Sequence, residues 1–441
     1  MTNGTTTPRR PRLRVRVRWV IFTYLFGFAF ILYLQRTSFS VAAVQMMPEL
    51  GISQIELGWL LTAYLVTYTV FQLPGGVFGE WLGARKALVI TGLIGLAAAV
   101  ATPLAPMLLA GSALFTVLLI ARLVLGTAHA PLFAISVGAI ESWFPAGKWA
   151  FPNGLQTSGL QLGSAAATPL IAILMETYGW KHALLWTSFP ALALIILWGW
   201  YGRNTPAEHP AVSAEERAEL HANTTRYAGT GIGRQDLLRV LGNRDVLLLA
   251  ISYTIMNYVF YLLSTWCFLY LIQERHLSVL QSGWLASLPF IAAAIGAGVG
   301  GELSDRLAVR YGLRIGYRAV PVVALPLAGL LLFAGVEFTN AYWAVGALSL
   351  AFASIELTEG AYAAATTAVG REHTMAAWGV VGTGGNLGGI IGTPIVAWLS
   401  AHHAWTAAFL TGTGFAIVSG ILWFWVDSGR EITAEPQRTP A

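Results

Sequence analysis

Thr168-Pro-Leu-Ile-Ala-Ile-Leu174 and Thr393-Pro-Ile-Val-Ala-Trp-Leu399 are one segment written twice, 225 residues apart. The likeness continues outward. Gly163 and Gly388 each stand six residues before the proline, and Trp180 and Trp405 each stand eleven after it. A second, unrelated stretch keeps the same offset, with Gly76-Val-Phe-Gly-Glu80 answering Gly301-Glu-Leu-Ser-Asp305. Two independent matches at one offset mark the chain as a parallel internal duplication.

What is duplicated follows from composition. Hydrophobic residues make up 56% of the 441 and charged residues 11%, with a mean hydropathy of +0.63. A soluble domain carries about a quarter charged residues, so this is a polytopic membrane protein. At about 20 residues per crossing, apolar stretches mark twelve spans, at 19–47, 56–80, 86–104, 108–140, 151–176, 182–201, 246–272, 282–304, 316–335, 341–369, 376–400 and 404–427. The expected fold is therefore all-α, with twelve transmembrane helices in two pseudo-symmetric six-helix halves. The expected division is a basic tail 1–18, a first bundle 19–201, a linker 202–245 with one short surface helix, a second bundle 246–427 and a tail 428–441.

Charges set the orientation. Of 26 Lys and Arg residues, 24 lie in tails and loops, and all of these except Lys181 and Arg275 fall on the two tails and the even-numbered loops. By the positive-inside rule both termini are cytoplasmic, in the cell's plasma or inner membrane. The arginine-rich start resembles a signal peptide, but the apolar run after it is too long and lacks a small-residue cleavage site, so it reads as a retained first span. The net charge of +5 is orientation chemistry and gives no reason to expect nucleic acid. One cysteine, Cys267, excludes an internal disulfide and a cysteine-based metal site, and no metal or cofactor is called for.

The two basic residues left over are Arg36 and Arg122. Arg36, within Tyr33-Leu-Gln-Arg-Thr-Ser-Phe-Ser40, has apolar residues from Trp19 to Leu34 before it and more through Met47 after it. It cannot easily snorkel to either surface. A mid-bilayer charge costs at least about 2.5–3.5 kcal/mol, so it faces a bundle interior or a watery cavity. A guanidinium is a planar fork matched to carboxylate or phosphate, and two of them favour an organic anion over simple pairing with backbone carbonyls. Tyr33 shares a helical face with Arg36, and His129 lies two turns from Arg122.

Carboxylates able to answer these charges are few. Glu356 and Glu359 lie in the tenth span, Glu141 near the end of the fourth and Glu80 at the end of the second. Subtracting the offset sets Glu356 and Glu359 at the level of Pro131 and Ala134, beside His129. One cavity is expected, with His129 and Arg122 on one wall and these glutamates on the other, an arrangement suited to proton coupling, although a structural salt bridge would look the same in sequence. Thr383 and Asn386 are the polar exceptions in a glycine-rich eleventh span that otherwise reads as close packing, and Gln161 is a weaker candidate with Gln156. Tyr33, Tyr68, Tyr261 and Trp266 suggest aromatic walls, Tyr261 being the counterpart of Arg36 at the repeat offset. Glu80, Arg85, Asp305 and Arg306 read as gating charges.

At this point the chain resembles the anion:cation symporter family of the major facilitator superfamily, which includes sugar-acid transporters and vesicular glutamate and sialic-acid carriers. The resemblance rests on Tyr33-x-x-Arg36-x-x-x-Ser40-Val-Ala, Phe71-Gln-Leu-Pro-Gly-Gly76, Arg122-x-x-x-Gly126, Trp143-Phe-Pro, Trp266 to Leu271 with Glu-Arg-His276, and Thr383-Gly-Gly-Asn-Leu-Gly-Gly389. It implies the major facilitator fold and a substrate site at Tyr33, Arg36, Tyr68, Arg122, Thr383 and Asn386. This chain departs from the family at Gln35 and His129, where relatives carry the acids implicated in proton coupling, and at Glu80-Trp81 in place of Asp-Arg.

The resulting expectation is a secondary active transporter, not an enzyme, acting as a monomer in the bilayer. It moves a small organic anion, a sugar acid or other carboxylate, with the proton as coupling ion at Glu359, Glu356 and His129. An uncoupled anion uniporter or exchanger is the alternative, and a transporter-like ligand sensor is the reading from another class. No nucleophile and base or metal constellation supports a membrane enzyme.

Overall fold

The computed structural model describes residues 16–224, 232–276, 279–402, 404–430 and 432. Arg9, Arg10, Arg12, Arg14, Arg226 and Arg438 therefore lie outside the described residues.

Among the described residues the regular elements are all helices, which suits an apolar solvent, since a helix satisfies its own backbone hydrogen bonds there. The first half comprises α1 (Val17–Leu50), α2 (Gln54–Val70), α3 (Gln72–Leu108), α4 (Gly111–His129), α5 (Pro131–Trp143), α6 (Ala150–Trp186) and α7 (Ser188–Tyr201). The linker forms α8 (Ala214–Thr224) and α9 (Arg234–Gly242). The second half comprises α10 (Arg244–Gln273), α11 (Val279–Tyr311), α12 (Leu313–Glu337), α13 (Ala341–Glu356), α14 (Glu359–Gly370), α15 (Thr374–Ala401) and α16 (Trp405–Leu422).

Among the described residues, nine helical stretches are long and apolar enough to cross a membrane. Two of them, Ala150–Tyr201 with 52 residues and Ala341–Ser400 with 60, exceed one crossing and hold two each, and Ile55–Val70 supplies the remaining one. Helices and crossings therefore do not coincide, yet the twelve-span, all-α membrane fold stands. Gly83 (φ 73°) and Gly179 (φ 76°) turn the chain between crossings inside α3 and α6, in a backbone region other residues rarely adopt. α2 opens on a capping box, in which Ser53 Oγ accepts from Glu56 N at 3.2 Å and Glu56 Oε2 accepts from Ser53 N at 2.8 Å.

One discontinuity repeats. α4 gives way to α5 at Ala130, and α13 gives way to α14 at Leu357 and Thr358, so Glu356 ends one helix and Glu359 begins the next. Large apolar side chains such as Ile173, Phe189, Val323 and Trp398 stay exposed, where the bilayer covers them. Trp143, Trp149, Trp378 and Trp423 are fully buried in the main core.

Among its described residues the linker forms two short α-helices where one is expected, because Arg234-Gln-Asp-Leu-Leu-Arg-Val-Leu-Gly242 carries an apolar stripe that buries Val240. Glu216 of α8 accepts from the backbone of Val17 and Arg18 at 3.1 and 3.2 Å, which caps α1. The Arg18 guanidinium lies against the same carboxylate and bonds Glu219 at 2.8 Å. The linker is thus tied to the start of the first bundle.

Candidate functional site

Arg36 rises from α1 into a cage of tyrosines. Its Cζ lies 5.2 Å from the Tyr33 ring centroid, 5.7 Å from that of Tyr64 and 5.9 Å from that of Tyr68. Arg122 of α4 is 2% exposed and sits 4.1 Å from the Phe39 ring and 4.7 Å from the Tyr64 ring, with Nε donating to the Leu60 carbonyl at 3.3 Å. Aromatic faces stabilise such cations by about 2 kcal/mol or more when water is excluded. Arg122 uses Nε on Leu60, whereas the Arg36 guanidinium has no hydrogen-bond partner among the described residues. Among the described residues, no carboxylate forms an ion pair with either arginine.

Beside this cage lies a partly open cavity between the halves. Tyr33, Tyr68 and Gln161 line it from the first half, and Tyr261, Glu356, Glu359 and Asn386 from the second. Gln161 and Asn386 stand 225 residues apart, so the repeat places one amide on each side of the cavity. Glu356 Oε1 accepts from Gln161 Nε2 at 3.1 Å, Glu359 Oε2 from the Tyr253 hydroxyl at 3.0 Å, and Asn386 Oδ1 from the Tyr261 hydroxyl at 3.3 Å.

Other expected residues stand elsewhere. Arg36 and Arg122 are not among the residues that line the cavity; Arg36 stands one ring away, against Tyr33 and Tyr68. Trp266 and Thr383 do not line it either, and Thr383 Oγ1 is turned to the Gly379 carbonyl at 2.8 Å. The expectation that His129 and Arg122 share one cavity with the glutamates is corrected. The His129 ring nitrogen Nδ1 bonds the Tyr64 hydroxyl at 3.1 Å, and the residue lines a separate, smaller cavity inside the first half with Gln35 and Thr91.

Sequence reasoning missed several residues of the main cavity. Gln72, Phe133, Tyr253, Asn257 and Trp378 all line it, with Phe133 stacked on Trp378 at 5.3 Å between ring centroids. The repeat offset would have paired Gln161 with Asn386. No comparable signal singles out an aromatic residue in an apolar helix.

The gating candidates divide. Glu80 of α3 accepts from the backbone of Met375 and Ala376 at 3.0 and 3.3 Å, at the start of α15 in the other half. Asp305 of α11 accepts from the backbone of Ala150 and Phe151 at 2.9 and 2.8 Å, at the start of α6. Both pairs are related by the offset of 225. Each carboxylate meets the free N–H groups and positive dipole of a helix N-terminus across the interface between the halves. Gly76 and Gly301 permit the approach, since a Cβ at either would collide with the Met375 or Ala150 carbonyl. Arg85 instead bonds the Gly199 carbonyl within its own half, and Arg306 pairs with Glu302 on its own helix at 2.7 Å.

Comparison with known proteins places this geometry in context. The family model described as Major Facilitator Superfamily matches residues 25–358. Among curated relatives, a probable sulfoacetate transporter of Cupriavidus necator is 29% identical over 389 residues, covering 87% of this chain and 87% of its own. A hexuronate transporter of Bacillus subtilis is 27% identical over 91% of this chain and 92% of its own, and a D-galactonate transporter of Escherichia coli 27% over 92% and 94%. Among solved structures, the proton:xylose symporter superposes with a TM-score of 0.73 at 11% identity over 93% of this chain and 96% of its own, which bears on the fold.

Proposed function

Because the chain belongs to the Major Facilitator Superfamily, a family of multi-pass membrane transporters and not of enzymes, we propose that it moves a small organic anion, a sugar acid or related carboxylate, by alternating access with the proton as coupling ion. One observation carries the anion: two arginines stacked on tyrosines at mid-span, with no carboxylate to neutralise them among the described residues, beside a cavity between the halves. The relatives named for sulfoacetate, hexuronate and galactonate all handle organic anions, which supports the reading.

In this mechanism the guanidinium of Arg36 takes the substrate's carboxylate in a bidentate fork, with Arg122 adding positive potential behind Tyr64. Tyr33 and Tyr68 present aromatic faces to the substrate's carbon skeleton. Glu359, then Glu356, carry the proton, since intramembrane carboxyls without a cation mark proton relays. Proton and anion together neutralise the cavity and favour rocking of the halves. Rocking breaks the Glu80 and Asp305 contacts with the opposite helix starts and opens the end of the bundle that holds the linker. The protein works as a monomer in the plasma or inner membrane, with both termini cytoplasmic.

The competing reading is an uncoupled uniporter or exchanger, favoured by Gln35 and His129 standing where relatives of this type carry acids. Reconstituted in proteoliposomes with labelled D-galactonate, the protein should accumulate substrate under an outside-acid pH gradient. Glu359→Gln should lose accumulation and keep counterflow exchange. Wild-type uptake indifferent to the gradient leaves the uniporter or exchanger, and binding without flux leaves a ligand sensor.

A further inference from the structure

We infer that the cavity selects among organic anions by charge number, accepting a monoanion whose far end bears hydroxyls or an ammonium group and rejecting a dicarboxylate. This rests on the anion-transport reading and adds to it the charge and layout of the substrate.

The cavity has two unlike poles. Tyr33 marks the first, since it lines the cavity and carries the Arg36 guanidinium 5.2 Å from its ring centroid. Glu356 and Glu359 form the second, and among the described residues no Lys, Arg or His lines the cavity. Hydrogen-bonding capacity at the second pole is also one-sided. Glu356 Oε2 is a buried acceptor that finds no donor among the described residues, its residue being 1% exposed. The amide N–H groups nearby are partly used: Gln161 donates to Glu356, Asn257 to the Tyr253 carbonyl and Asn386 to the Gly382 carbonyl.

Unsatisfied buried acceptors are costly, so the ligand must bring donors to this pole. A hydroxyl or an ammonium donates; an ionised carboxylate only accepts. A second carboxylate placed here meets two carboxyls, one of them with a free acceptor oxygen, and no cation among the described residues. Protons on the glutamates lessen the mismatch without reversing it, because no positive charge is introduced. The fitting ligand is an aldonate-type acid, with one carboxylate on the arginines and a polyol end at the glutamates.

Competition for counterflow of labelled D-galactonate in proteoliposomes tests this. Galactarate, which differs in carrying a second terminal carboxylate, should compete about tenfold or more weakly than unlabelled galactonate, the factor that one mispaired buried polar group produces. A 6-amino-6-deoxyaldonate should compete at least as well as galactonate. Glu356→Gln, which exchanges a carboxyl for an amide donor, should narrow the galactonate-to-galactarate ratio among whatever transport survives. Equal competition by galactarate in the wild type overturns the selectivity and leaves anion transport standing. Counterflow that no sugar acid or other carboxylate inhibits overturns the transport reading itself. Should Glu356→Gln insert poorly, the wild-type ratio decides alone.

Discussion

Tyr64 joins the ionisable residues of the first half. Its ring faces both arginines, at 5.7 Å from Arg36 and 4.7 Å from Arg122, and its hydroxyl meets His129 at 3.1 Å. Tyr64→Phe keeps the cation–π face and removes one hydrogen bond, so it should cost about 0.5–1.5 kcal/mol of stability with a modest change in KM. Tyr64→Ala removes the face from both guanidiniums and should raise KM roughly tenfold or more while lowering thermal stability in detergent. Equal behaviour of the two variants in uptake and melting would contradict this role. Arg36→Lys should lose most transport, since an ammonium on a flexible stem cannot reproduce the planar fork. Arg36 and Arg122 were legible because a charge in an apolar span stands out against its surroundings. Tyr64, Tyr253 and Trp378 were not, because an aromatic residue in such a helix fits lipid, core and cavity equally well. His129 was legible as a polar residue, but its partner was not, since the Tyr64 hydroxyl lies on another helix.

Helix ends help to hold the two halves together. Glu80 and Asp305 each bond two backbone N–H groups at the start of a helix in the opposite half. Replacing a helix-capping carboxylate by Ala costs about 0.5–2 kcal/mol, so Glu80→Ala with Asp305→Ala, at about 1–4 kcal/mol together, should shift the rocking equilibrium by roughly fivefold or more toward opening at the linker end. Maleimide labelling of a cysteine placed at Ile135, buried beside Gly79 where α3, α5 and α15 meet, reports it in a Cys267→Ala background. Labelling should rise several-fold in the double variant; unchanged labelling removes these contacts from gating. The repeat exposed both acidic positions in sequence. Their partners stayed hidden, because a backbone N–H at a helix start carries no residue identity. Crossings were likewise easier to read than helices, since hydropathy does not register the turns at Gly83 and Gly179, and α9 is too short and polar to appear in a search for spans.

At the scale of the whole molecule, duplication builds the fold and divergence builds the site. The offset that pairs Gln161 with Asn386 and Glu80 with Asp305 also pairs Arg36 with Tyr261, so one half supplies positive charge where the other supplies a ring. The duplication was legible because two stretches share one offset. The divergence was legible only in part, because which residues meet across the interface depends on how the halves face each other. The basic loops predict cytoplasmic termini, so a fluorescent protein fused after Ala441 should fluoresce while an alkaline phosphatase reporter there stays inactive. The central claim is that an anion is held by the arginine pole, and counterflow of labelled D-galactonate in proteoliposomes matched for inserted protein tests it directly. Wild type should exchange the substrate and Arg36→Ala should fall to the level of empty liposomes. Exchange by Arg36→Ala at the wild-type rate and KM would contradict the account.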